Sequence, residues 1–214
     1  MDSLCAYCAG PLFNQSERDE MTAIAEVLVS HGYSVFLPHR DGMEFRLVRE
    51  ALIEQGWAPE IAGSFLHEAI FALDVYQLAI GCDAMVWNLN GRVPDEGAVS
   101  EAAIAWTLGK PLVGFQDDAR SLIAGRMNPL LVGLVEFVTV CRIKDIPKAL
   151  DAERLKTKVN PIDHDRLPAK LKTTVDRGAE LWKALQQEKA DGENKIIADC
   201  VAKLFGPGSN KETR

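Results

Sequence analysis

No stretch of this sequence approaches the ~20 consecutive apolar residues that a membrane-spanning helix needs, and no charged-then-apolar leader opens it. A soluble chain kept in the cytoplasm, with no membrane partner, is the expectation. Basic residues are in deficit: 24 Lys and Arg face 31 Asp and Glu, a net charge of −7. Such a field repels a phosphate backbone and argues against polymeric nucleic acid as a partner. Cysteine is sparse and odd in number. Cys5, Cys8, Cys82, Cys141 and Cys200 fall mostly within apolar stretches, as reduced thiols do. Cys5 and Cys8 form a C-x-x-C, but no second Cys or His pair lies at metal-binding spacing, so they read as small core residues. Asp117 and Asp118, followed by Arg120, also lack a His or further acid at ligand spacing, which leaves a solvated loop and no metal. The stretch Ala9-Gly10-Pro11-Leu12-Phe13-Asn14 has one glycine where a dinucleotide loop needs several, so a redox enzyme on this scaffold is a poor fit. No cofactor is expected, and no internal repeat is visible.

What the sequence does contain is material for a core, since 47% of its 214 residues are hydrophobic. Short apolar runs at Leu4–Gly10, Tyr33–Pro38, Ala84–Leu89, Pro111–Gln116 and Glu136–Val140 read as strands. Amphipathic patterns at Glu17–His31, Phe65–Ile80 and Glu96–Leu108 separate them, the last ended by Gly109 and Pro111. Buried strands linked through helices imply a parallel sheet, because parallel connections need crossovers. The fold class is therefore α/β: a doubly wound, flavodoxin-like parallel sheet of five strands with helices on both faces, plus a C-terminal helical extension. After Val140 the character changes. Ile146–Arg166 is polar and interrupted by Pro147 and Pro161, and two charged amphipathic helices follow at Leu167–Glu188 and Asn194–Leu204. Residues 1–142 are expected to form the α/β domain, 143–205 the extension and 206–214 a disordered tail.

In open parallel sheets, ligands bind beyond the carboxyl ends of the strands. The loops there hold a set of motifs in a definite order: Tyr7-Cys8-Ala9-Gly10-Pro11-Leu12-Phe13, then Cys82-Asp83-Ala84, then Asn90-Gly91. Asp95-Glu96-Gly97-Ala98-Val99-Ser100-Glu101 and Gly109-Lys110-Pro111 complete it. In this order, from Leu4 to about Val140, the chain resembles the nucleoside 2-deoxyribosyltransferase family; the Asp-x-Gly-x-x-x-Glu spacing is its strongest element.

The resemblance implies a retaining exchange at the sugar C1′ of a nucleoside, with a nucleobase as the second substrate. Glu101 would be the nucleophile, and Tyr7 would hold it through its hydroxyl. A carboxylate suits this chemistry, because breaking an N-glycosidic bond builds positive charge on the sugar that a carboxylate can stabilise and trap. The N-terminus of its helix is expected to keep that acid ionised. Asp95 would bind the sugar hydroxyls, and its charge argues for a free 5′-hydroxyl over a 5′-phosphate. Against this, Arg18, His39 and Arg40 are available as phosphate donors. Asp74 would protonate the leaving base, but it lies nine residues before Asp83 where the family has eight. One extra helical residue turns a side chain by about 100°, so the assignment holds only if the turn at Gly81 absorbs it. Gly10 and Gly97 fall in the substrate site, with Phe13 and Trp87 as walls for a flat base and His39 and Asp41 reading its edge. Asn128 would be lent to a neighbouring subunit, which implies a homo-oligomer of at least two chains.

Plainer readings accompany each of these. Glu101 can serve as a partner of the helix dipole, Tyr7 as a core residue, Asp74 as part of a solvated face and Asp95 as an N-cap. The rivals to transfer are hydrolysis of a nucleoside or nucleoside 5′-monophosphate, with water in the second step, and a non-catalytic nucleoside-binding module.

Overall fold

A computed structural model describes residues 3–91, 93–118, 127–157, 162–191 and 195–207. The elements are β1 (Cys5–Ala9), α1 (Gln15–Ser30), β2 (Ser34–Phe36), α2 (Pro38–Asp41), α3 (Phe45–Glu54) and α4 (Pro59–Tyr76), followed by a π-helical turn at Gln77–Gly81. Then come β3 (Ala84–Asn88), α5 (Glu96–Thr107), β4 (Leu112–Phe115), α6 (Pro129–Leu134), β5 (Thr139–Val140), α7 (Ile146–Lys156), α8 (Ala169–Asp191) and α9 (Lys195–Phe205). None of the helices among the described residues is long and apolar enough to cross a membrane. The expected tail falls almost wholly outside the described residues, as do Arg120 and Pro161.

All the strand pairings are parallel and the order is β2-β1-β3-β4-β5, the flavodoxin-like arrangement. Alternation along the strands splits their side chains between two faces. On one face Ala6, Cys8, Val86 and Phe115 pack against Met21, Ile24 and Leu28 of α1 and Ile146 and Leu150 of α7. On the other lies α5, whose buried residues Ala98, Ala102 and Ala105 are small and let the helix come close to the strands. A capping box starts α1: Asn14 accepts from the Glu17 N–H while Glu17 reaches back.

Three helices depart from expectation. The segment Phe45–Glu54, left unassigned by the sequence pattern, forms α3 with Val48 and Leu52 buried one turn apart. Helix α4 begins at Pro59, six residues before the expected start, because proline suits a first helical position. Pro147 acts the same way: it opens α7 where an interruption was expected, and Ile146 and Leu150 carry that helix into the core.

Two compact units result. One comprises Met1–Arg40 and Gln77–Ile162 and holds the sheet; the other comprises Asp41–Tyr76 and Asp163–Arg214. The helices after Val140 thus divide, α7 joining the sheet and α8 and α9 joining α3 and α4. The core of the second unit includes Leu52, Leu66, Leu73, Leu181, Ile197 and Val201. Gly178 marks the closest approach of α8 to α4, since a Cβ there would press into the Ala72 carbonyl oxygen and the Tyr76 Cβ. In an open helix, replacing glycine by alanine gains about 1 kcal/mol, but overpacking costs typically about 1–3 kcal/mol, and a backbone carbonyl cannot turn aside. Gly178→Ala is therefore expected to lower the urea midpoint of unfolding; an unchanged or raised midpoint would show that the two helices separate freely.

Candidate active site

The carboxyl ends of β1, β3 and β4 meet around a network of polar groups. Asn88 and Asn90 are both buried at the end of β3, and a buried amide must find partners. The Asn88 Nδ2 donates to Glu20 Oε2 at 2.6 Å. Asn90 Nδ2 donates to the same carboxylate at 3.1 Å and to Asp117 Oδ1 at 2.7 Å. The Asn90 Oδ1 in turn accepts the backbone N–H groups of Asp117 and Asp118, each at 3.1 Å. One side chain thereby ties α1 to the loops after β3 and β4. Gly91 follows at φ +115°, a conformation that favours glycine. Beside the network opens a cleft of about 390 Å³, lined by Pro11, Ser16, Glu17, Glu20, Asn90, Gly91, Asp117 and Asp118. Its walls are rich in carboxylates.

On the opposite face of β1 the Tyr7 hydroxyl donates to Glu101 Oε1 at 2.6 Å. Tyr7 is fully buried and Glu101 half-buried. Asp95 caps α5, its Oδ1 accepting the Ala98 N–H at 2.7 Å, and its charge acts on Glu101. With Asp95 as the N-cap, Glu101 is the sixth residue of the helix, beyond the first turn where a helix dipole is felt. The expectation that the helix end keeps it ionised therefore fails. Burial pushes its carboxyl up to about 7, the Asp95 charge adds to the rise, and the Tyr7 hydrogen bond opposes it. At neutral pH the group is poised between acid and carboxylate.

The other expected site residues are distributed as follows. Gly10 is held by packing: a Cβ would meet Met21 Sδ at 2.6 Å and Asn88 Cβ at 2.7 Å. Gly97 lies in the first turn of α5, where a Cβ would stand 3.2 Å from Asp95 Oδ1. Phe13 is exposed, with its N–H donated to Glu17 Oε2 at 2.8 Å. Trp87, read as a wall for a base, is instead wholly buried core. His39 is exposed on α2. Asn128 is exposed and caps α6, accepting the Leu130 N–H at 2.9 Å. Asp74, half-buried on α4, and Asp41 belong to the second compact unit. A π-helical turn, whose rings close one residue later than an α-turn's, lies between Asp74 and Asp83. Glu20, Asn88 and Asp117 were not legible as site residues. The signal for them was Asn88-Leu89-Asn90, two amides in a buried strand end.

The sequence profile of the family described as nucleoside 2-deoxyribosyltransferase matches residues 6–160. The chain belongs to the nucleoside 2-deoxyribosyltransferase family. The match runs past Val140, where the motif resemblance ended, and takes in α7, so this part of the polar C-terminal third belongs to the family domain. Among solved structures, a conserved protein from Enterococcus faecalis V583 is similar at 19% identity and a TM-score of 0.47, covering 71% of this chain and 99% of that one. No curated protein matches significantly.

In this member of the nucleoside 2-deoxyribosyltransferase family, the carboxyl of Glu101 has a folded-state value above its unfolded one of about 4.5. Ionisation therefore weakens the fold: the penalty is absent below pH 4.5 and complete above pH 7. Glu101→Gln is expected to unfold at higher denaturant than the parent above that window, by on the order of 2–3 kcal/mol, and to match it below. Carbon NMR of the carboxyl should follow the Glu101 titration directly, moving up in Tyr7→Phe and down in Asp95→Asn. Equal midpoints in all three proteins would dissolve the described coupling.

Proposed function

We propose that the chain cleaves the N-glycosidic bond of a nucleoside and passes the 2-deoxyribosyl group to a second nucleobase through a glycosyl ester on Glu101. The Tyr7–Glu101 pair carries this reading: a carboxyl largely withdrawn from water, restrained by one strong donor and titrating near neutrality, in a family named for this transfer. In its ionised form Glu101 attacks C1′ and the C1′–N bond breaks with its electron pair leaving on the base. Asp74 is assigned the proton that the departing base takes up. A nitrogen of the incoming base then attacks C1′, giving its proton to the Asp74 carboxylate as the Glu101 carboxylate departs, so that two inversions give net retention. Because only the carboxylate attacks, the rate constant of the first step should rise with pH through about 7.

Asp95 is assigned to the sugar hydroxyls, beyond its role as a cap. Its charge disfavours a 5′-phosphate. Asn128 is assigned to a neighbouring subunit's sugar site, and its surroundings suit self-association: Leu130, Phe137 and Val138 are 81%, 73% and 69% exposed.

Chromatography of the protein with nucleosides, deoxynucleosides and their 5′-monophosphates, each with and without a second free base, tests the reading. A new deoxynucleoside appearing only with the second base is the expected result. Free base released without exchange would make the chain a hydrolase, and no turnover of any substrate would make it a binding module. Glu101→Ala should reduce turnover at least about a thousand-fold while leaving the fold intact; near-normal rates would remove Glu101 as nucleophile. Mixed oligomers of Glu101→Ala and Asn128→Ala should regain part of the activity that each lacks alone.

A further inference from the structure

The C-x-x-C of the sequence is not the cysteine pair of the structure. Three residues apart on a strand, Cys5 and Cys8 project to opposite faces, and Cys8 is buried against α1. Cys5 instead meets Cys82, from the turn that leads into β3, with the sulfurs 3.2 Å apart. The two backbones are held in place from several sides. Cys5 N–H donates to Asp83 Oδ2 at 2.8 Å, and Asp83 N–H donates to the Cys5 carbonyl at 2.7 Å. The Cys82 N–H donates to the Gln77 carbonyl at 2.8 Å, and Lys110 Nζ donates to the Cys82 carbonyl at 2.6 Å. Bonded sulfurs stand about 2 Å apart, so only about 1 Å of movement separates this contact from a bond.

We propose that Cys5 and Cys82 form a reversible oxidative modification site, in which a peroxide converts the two thiols into an intramolecular disulfide between the start of β1 and the turn before β3. The two thiols have different roles. Cys5 is half-buried and Cys82 is 2% exposed, so a small oxidant reaches Cys5 first. The hydrogen bond with Cys82 lowers the Cys5 thiol from its ordinary value, against burial and the charge of Asp83. The same bond raises Cys82 well above its own, and burial adds to the rise. The Cys5 thiolate attacks one peroxide oxygen, the O–O bond breaks, and Cys5 becomes a sulfenic acid as the departing hydroxide takes up the proton the thiol had released, giving one water. Cys82 sulfur then attacks the Cys5 sulfur, and the hydroxyl departs as a second water with the Cys82 proton. Two thiols are oxidised, one peroxide is reduced and nothing else is consumed. The bond spans 77 positions of sequence, a long loop whose closure restricts the unfolded chain strongly.

This site is independent of the catalytic reading and is tested on the full chain without a nucleoside. Reduced protein is exposed to hydrogen peroxide, its remaining thiols are alkylated, and it is digested without reductant for mass spectrometry. The expected product is a peptide pair joined through Cys5 and Cys82, two hydrogens lighter than its parts and separated again by dithiothreitol. The oxidised protein should also unfold about 5 °C or more above the reduced one, and the shift should vanish in Cys82→Ala. Should that buried substitution prevent folding, Cys5→Ser at the half-buried partner gives the same readout. The proposal falls if peroxide joins Cys5 to Cys8, if Cys5 proceeds only to sulfinic or sulfonic acid, or if the exposed Cys141 is consumed while Cys5 and Cys82 remain open to alkylation.

Discussion

The pairing of β1 with β3 at the centre of the sheet is the constraint on which the rest depends. Their register, with Tyr7 beside Met85 and Cys8 beside Val86, assigns alternate residues to opposite faces. Tyr7 is thereby directed to α5 and Glu101, while Ala6, Cys8, Val86 and Asn88 are directed to α1. A slip of one residue would exchange the two sets and leave a phenol in the α1 core and no donor for the carboxyl. The same pair of strands holds Gly10 against Asn88 at one end and Cys5 against Cys82 at the other. The Tyr7–Glu101 hydrogen bond, the packing and the thiol contact all follow from one ladder.

Around this ladder the polar groups divide by how they are paid for. Asn88 and Asn90 are buried, but Glu20 and Asp117 accept their amide hydrogens, so their burial costs little and their positions are firm. Glu101 has one strong donor and an unfavourable charge nearby, and its ionised form is held at the expense of the fold. Further donors around Glu101 would favour its ionised form and bring its carboxyl back toward the ordinary value.

Much of the sheet was legible in the sequence because buried parallel strands leave short apolar runs that polar helices bracket. Tyr7, Asp95 and Glu101 could be singled out only because the motifs around them resemble the family's; that Tyr7 meets Glu101 is a fact of the fold. The failures have local causes. Pro59 and Pro147 look like interruptions until a helix starts on them. Trp87 was read as a wall because aromatic rings suit bases, but period-two alternation in an all-buried strand does not say which rings stay covered. The position of Glu101 beyond the first helical turn depended on which residue caps α5, and the titration it produces depends on packing from β1, more than ninety positions earlier in the chain.

The second compact unit is built from two segments of chain that lie far apart, Asp41–Tyr76 and Asp163–Arg214. On a ribosome adding about 5–20 residues per second, α3 and α4 emerge on the order of ten seconds before Leu181, Ile197 and Val201 exist to cover Leu52, Leu66 and Leu73. During that interval a pair of nascent helices carries an uncovered apolar face. The unit can complete its core only once the second segment has been made.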